Sequence, residues 1–183
     1  VFRDVVSQLE AVEQLLGAIG QGSDIHHAWL FTGPPGSGRS QLALAFAASL
    51  LCAEGGCGNC NSCQMIESRN HPDVQVLNTE RVLISIDEVT EFIEKSIQMP
   101  AIGKYRIMVI EDADRMSERT SNLLLKSLEE PPKGTIWMIC APSEADLLPT
   151  IRSRVRRVQL KVPTVDAVAQ LLVEKYGIGL ELA

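Results

Sequence analysis

The sequence predicts an α/β fold, a parallel sheet with helices on both faces, built around a phosphate-binding loop. Three observations predict it. Short apolar runs of strand length alternate with segments of helical spacing, which implies right-handed βαβ crossovers. Gly33-Pro-Pro-Gly-Ser-Gly38-Arg39-Ser40 follows the first such run and opens a helix. Four cysteines, Cys52, Cys57, Cys60 and Cys63, then fall within twelve residues just past that helix.

The elements follow in order. Val5, Leu9, Val12, Leu15, Leu16 and Ile19 recur at helical spacing, and Gly20 and Gly22 end that helix. Residues 28–32 are a short apolar run, read as a buried parallel strand. Residues 41–51 are rich in Ala and Leu, strong helix formers. The cysteine segment is a loop, followed by a short helix over 63–68 and a strand over 73–77. Residues 86–99 form an amphipathic helix that Pro100 stops. Residues 106–110 are the next strand. Ser117 caps a helix that runs to Glu130, before Pro131-Pro132. Strands over 135–140 and 156–160 complete the sheet. A helix over 164–175 follows a Pro-containing linker. Residues 1–162 are therefore expected to form one unit, and 163–183 the start of a second, helical one.

The chain has 183 residues, a hydrophobic fraction of 45%, a charged fraction of 22% and a net charge of −6. That is the composition of a globular protein with a sizeable core. The acidic balance excludes a general affinity for nucleic acid, so any DNA-handling role needs a local basic patch or basic partners. No apolar run approaches the ~18 residues of a membrane span. Val1-Phe2-Arg3-Asp4 has no signal-peptide pattern, so the expected location is cytoplasmic.

The loop fits the template Gly-x4-Gly-Lys-[Ser/Thr], with Arg39 in place of Lys. Its glycines let backbone N–H groups turn inward around phosphates, and the helix N-terminus adds partial positive charge. Gly33, Gly36, Ser37, Gly38, Arg39, Ser40 and Gln41 are the candidate contacts to ATP. Ser40 is expected to hold Mg²⁺ and Arg39 to reach the β/γ-phosphates. Arg is a wide planar fork where Lys is a compact charge, which suits binding better than fast turnover. A Gly/Pro turn with no ligand is the alternative.

Residues 106–110 run into Glu111-Asp112, which resembles a Walker B strand end with its acids reversed. Glu111 then falls at the metal-assisting position and Asp112 at the water-orienting one. Asp112 is one methylene short for that task, a misplacement worth on the order of 10²-fold in rate. A plain acidic turn is the alternative.

Cys52-x4-Cys57-x2-Cys60-x2-Cys63 offers four soft thiolates, the ligand set of a closed structural Zn²⁺ site. An iron–sulfur cluster and a metal-free loop are the rivals. Cys140, in a strand, reads as a small core residue.

Taken together, these pieces resemble the AAA+ clamp-loader family of bacterial DNA polymerase III, and within it the delta-prime type of subunit. The resemblance spans about Phe2 to Lys175. It is carried by His27-Ala28-Trp29-Leu30-Phe31-Thr32-Gly33-Pro34-Pro35-Gly36, by the cysteine run after the loop's helix, by Ser121-Asn122-Leu123-Leu124-Leu125-Lys126-Ser127-Leu128-Glu129-Glu130-Pro131-Pro132 (the family's "NALLKTLEEPP") and by Arg152-Ser153-Arg154 (its "SRC" motif, with Val155 for Cys).

The resemblance implies an AAA+ domain over 1–162 with a zinc module at 52–63, and the start of a helical lid at 163–183. It implies a subunit that works with gamma/tau and delta subunits to place a sliding clamp on primed DNA. It also implies that Arg154 acts in trans, as an arginine finger in a neighbour's ATP site. A solvated arginine face (Arg152, Arg154, Arg156, Arg157) is the alternative. The family's polar sensor falls near Ala141-Pro142, where neither side chain can hydrogen-bond a phosphate. Arg39, the reversed acids and the apolar sensor all point away from hydrolysis, and toward the delta-prime type over the gamma/tau type, whose loop ends in Lys-Thr. The rival readings are a self-sufficient ATPase of the gamma/tau or another AAA+ kind, and a zinc-dependent interaction domain with a vestigial loop.

Overall fold

The computed structural model describes residues 1–2, 5, 7–20 and 25–176. Gly22, the expected end of the first helix, and residues 177–183 of the expected second unit lie outside them.

Five strands form one fully parallel sheet: β1 (Ala28–Thr32), β2 (Val74–Leu77), β3 (Arg106–Ile110), β4 (Thr135–Ala141) and β5 (Arg156–Gln159). Their order across the sheet is β2-β3-β4-β1-β5. Trp137 of β4 pairs with Ala28 of β1 on one side and with Met108 of β3 on the other. The chain leaves β1 toward one side of the sheet and leaves its neighbour β4 toward the other, the kind of crevice where α/β proteins bind ligands. The loop after β1 opens there, and Asp112 after β3 meets the loop through Arg39.

The helices are α1 (Leu9–Gly20), α2 (Arg39–Leu51), α3 (Asn61–Glu67), α4 (Ile86–Ser96), α5 (Glu118–Glu129), α6 (Pro149–Arg152) and α7 (Val165–Tyr176). Because strand side chains alternate, the central strands feed two cores. Trp29, Phe31, Ile107, Val109 and Met138 pack with Leu15, Leu42 and Phe46 of α1 and α2. Leu30, Met108, Ile110, Trp137 and Ile139 pack with Val89, Phe92, Leu124 and Leu128 of α4 and α5. Edge-to-face ring pairs mark both faces: Trp29 with Phe46 at 5.1 Å and Phe92 with Trp137 at 5.9 Å.

Several boundaries differ from the sequence reading. α1 begins at Leu9, because the Gln8 amide is committed elsewhere: it donates to Ser37 O and Lys161 O and accepts from Lys161 N. α4 ends at Ser96, short of Pro100, because side chains from the sheet claim its last carbonyls. Arg106 Nε donates to Lys95 O at 3.2 Å and Thr135 Oγ1 to Ser96 O at 2.9 Å. Its start is a full capping box, with Glu88 N donating to Ser85 Oγ and Ser85 N to Glu88 Oε2. α3 starts at Asn61, two residues early, with Cys60 as its N-cap.

Candidate nucleotide and metal sites

The loop closes tightly against the start of the linker that leads to α7. A Cβ on Gly33 would sit 2.6 Å from Ser37 Oγ and 3.0 Å from the carbonyl of Leu160, so only glycine fits there. Gly38 is left-handed (φ 88°) and serves as the N-cap of α2, which leaves that helix's first N–H groups pointing out of the turn. Gly36, Ser37, Gly38, Arg39, Ser40 and Gln41 line a cavity of about 340 Å³, which Val168 and Leu171 of α7 close from the other side. The Ser37 hydroxyl is buried with no hydrogen-bond partner among the described residues. A cradle of free N–H groups with an unsatisfied hydroxyl suits a phosphate.

Within the loop Arg39 is folded back. Its Nη1 donates to Gly33 O at 2.5 Å, and its Nη2 lies 3.5 Å from Asp112 Oδ1. Asp112 has left-handed backbone (φ 50°), uncommon outside glycine, and its other oxygen is 3.7 Å from Arg115 Nη2. The thiol of Cys140, in β4, is buried. Burial pushes that thiol up to about 12, with the Glu111 carboxylate adding to the shift.

Glu111 is buried and fully engaged. Arg69 grips it with both arms of its guanidinium, Nη2 to Oε1 at 2.9 Å and Nη1 to Oε2 at 3.2 Å. Asn78 Nδ2 donates to the same Oε2 at 3.2 Å. The sequence reading put Glu111 and Ser40 at Mg²⁺ and Arg39 at the phosphates. In the structure Glu111 and Arg39 already have partners within the protein.

The cysteines converge. The four sulfurs of Cys52, Cys57, Cys60 and Cys63 all lie within 4.8 Å of one another. Cys52 Sγ is 3.7 Å from the sulfurs of both Cys57 and Cys60. Tetrahedral bonds of ~2.3 Å to one zinc would place sulfurs about 3.8 Å apart. Backbone N–H groups of Glu54 and Cys57 donate to Cys52 Sγ, and that of Cys60 to Cys57 Sγ. The backbone N–H donors at Cys52, that of Cys57 first, bring its thiol down to about 6. Burial pushes Cys63 up to about 12. Four convergent sulfurs of this kind could hold one metal ion.

Arg154 lies just past α6, and its partners are remote from the loop. It donates to Thr150 O at 2.6 Å, to Ser153 Oγ at 3.0 Å and to Glu129 Oε1 at 2.6 Å. Its side chain remains 32% exposed.

The family model described as "DNA polymerase III, delta subunit" matches residues 8–164. The chain belongs to this family. It is 36% identical over 174 residues to the DNA polymerase III subunit delta' of Pseudomonas aeruginosa, which covers 92% of this chain and 52% of that protein. It is 32% identical to the delta' subunit of Bacillus subtilis, covering 82% of this chain and 47% of the other. The subunit tau/gamma of Haemophilus influenzae is 30% identical, covering 93% of this chain and 25% of the other. The chain thus spans about half the length of these delta' relatives. Among solved structures, a gamma subunit-related protein of Thermotoga maritima superposes with a TM-score of 0.64 at 24% identity, over 93% of this chain and 51% of that one. A RuvB protein of the same organism gives 0.61 at 17%, over 92% and 50%. These two place the chain in the AAA+ fold.

In this delta-family chain the residues that the sequence reading missed are Arg69, Asn78 and Glu129, together with Cys140 as a neighbour of the loop. Cys140 is core, as expected, and the charges of Arg39 and Glu111 act on it. Its place beside Ala141, at the expected sensor position, was the available signal. Arg69 had none: it lies in no motif, and its left-handed backbone (φ 59°) is invisible in composition. Among the described residues no helix is long and apolar enough to cross a membrane.

Proposed function

We propose that the chain is the AAA+ part of a delta-prime-type clamp-loader subunit, with a lid domain opening at about residue 163. It acts in the cytoplasm with gamma/tau and delta subunits, and through that assembly helps place a sliding clamp on primed DNA. Its loop takes ATP but turns it over poorly, and Cys52, Cys57, Cys60 and Cys63 hold a structural zinc. The identity to two delta' subunits across most of the chain supports the class.

The observation that carries the role is the placement of Arg154. Its guanidinium is held by three acceptors at a surface corner and keeps a third of its area open. From there a long, permanently charged side chain can reach a neighbour's γ-phosphate. Charge builds on the phosphoryl oxygens in the transition state, so the guanidinium stabilises that state more than bound ATP.

The test is a reconstituted loader carrying Arg154→Ala. ATP turnover at the one site it serves should fall by about 10²-fold or more, with a smaller loss in the total rate. Arg156→Ala removes equal charge two residues away and is the control. Equal slowing by both variants would mean general electrostatics and end the arginine-finger reading.

A further inference from the structure

Arg154 joins two helix ends. On one side it serves α6: its Nη1 donates to Thr150 O at 2.6 Å, a carbonyl of that helix, and to Ser153 Oγ at 3.0 Å. On the other side its Nη2 donates to Glu129 Oε1 at 2.6 Å. Glu129 is the last residue of α5. A carboxylate there faces the negative end of its own helix, so it does nothing for α5. Both side chains are partly open to solvent, and an ion pair of that kind adds little to stability. What the pair does fix is direction.

Both residues stand on firm ground. Leu128, just before Glu129, is buried, and its carbonyl takes His27 Nε2 at 2.9 Å. Ile151 is fully buried in the same core, and its carbonyl takes Arg154 N at 3.0 Å. The ion pair is thus set by the packing of α5 on α6. It also leaves the guanidinium usable. A guanidinium has five N–H groups. The Nε–H has no acceptor among the described residues, and Nη2 keeps a second N–H beyond the one given to Glu129. An incoming oxygen can be gripped without displacing Glu129.

We propose that Glu129 is a positioning residue for Arg154: it fixes the direction in which the guanidinium is offered to a neighbouring subunit's γ-phosphate. This rests on the reading of Arg154 as an arginine finger. An untethered arginine must give up several side-chain torsions on reaching the phosphate, and Glu129 has them set beforehand. The carboxylate's charge opposes a phosphate, so what Glu129 supplies is its acceptor oxygen.

The experiment reconstitutes the loader with the full-length subunit, so that only the neighbour served by Arg154 can hydrolyse ATP, and measures kcat and KM. Arg154→Ala is the reference. Glu129→Ala should lower kcat about tenfold and leave KM for ATP within about twofold, since ATP sits in the neighbour's own site. Glu129→Gln keeps an acceptor oxygen at the same reach and should stay within about threefold of the natural subunit. The double variant should be no slower than Arg154→Ala alone, because Glu129 acts only through Arg154. Both residues are at the surface, so neither substitution threatens the fold. Glu129→Ala at the natural rate or above it overturns the proposal. A further loss in the double variant does the same, as does a Glu129→Gln variant as slow as Glu129→Ala. If Arg154→Ala itself changes nothing, the arginine-finger reading fails and this proposal with it.

Discussion

Asp73, at the start of β2, is fully buried, and its carboxylate takes the backbone N–H groups of Ala101, of Ile102 (2.9 Å) and of Gly103 (2.6 Å). Burial alone would raise its pKa, but these donors outweigh it and hold the group below the usual carboxylate range. The sign follows. Its stabilising contribution is present above the ordinary carboxylate pKa and is lost as the pH falls through the lower, folded value. Asp73→Ala should cost about 2 kcal/mol or more at neutral pH in urea unfolding, and the gap between variant and natural chain should shrink as the pH falls below the ordinary carboxylate range. A gap that stays constant with pH would deny the carboxylate this part. Gly33 makes a second test. Gly33→Ala drives a methyl into the Leu160 carbonyl and should cost about 1–3 kcal/mol and weaken nucleotide binding; an unchanged melting curve would show that the loop can shift aside. At this scale the sequence was readable where chemistry repeats: Gly33, Gly38 and the four cysteines follow known spacings. Arg69 and Asn78 were not readable, because their meaning comes from a carboxylate more than thirty residues further along the chain.

Helices and strands were legible in kind, because buried parallel strands and Ala/Leu-rich helices have strong local signals. β1 and β3 lie where their apolar runs predict. Ends were less so. The stop of α4 is written in Arg106 and Thr135, which belong to other elements, and Pro100 was a local signal with no part in it. The cysteine segment is the element most open to test. Purified chain should contain about one zinc, and its removal should raise hydrogen exchange over residues 52–68 while the strands β1, β3 and β4 stay protected. A reduced, folded and metal-free sample with equal protection throughout would remove the structural role of the metal.

For the whole molecule, the order of alternating elements predicted a parallel sheet, and the sheet that forms is parallel throughout. The strand order was not legible, since it depends on which crossovers pack together. Weak turnover is expected from several departures taken together: Arg39 turned onto Gly33, Asp112 drawn between two arginines, and Ala141-Pro142 where a polar sensor would stand. The isolated chain should hydrolyse ATP well below roughly 1 s⁻¹ in a steady-state assay, and a rate above that would favour an autonomous ATPase. The two margins of the sheet carry a last consequence. Beside β5, Gln14 of α1 donates to the Arg157 carbonyl at 2.6 Å, while Arg156 and Arg157 stand exposed along the strand. Beside β2 no further strand of the sheet pairs with its outer side among the described residues. Self-association of concentrated or partly unfolded chains should therefore begin at β2, by strand addition, and a lysine at Gln75 should slow it more than one at Gln159.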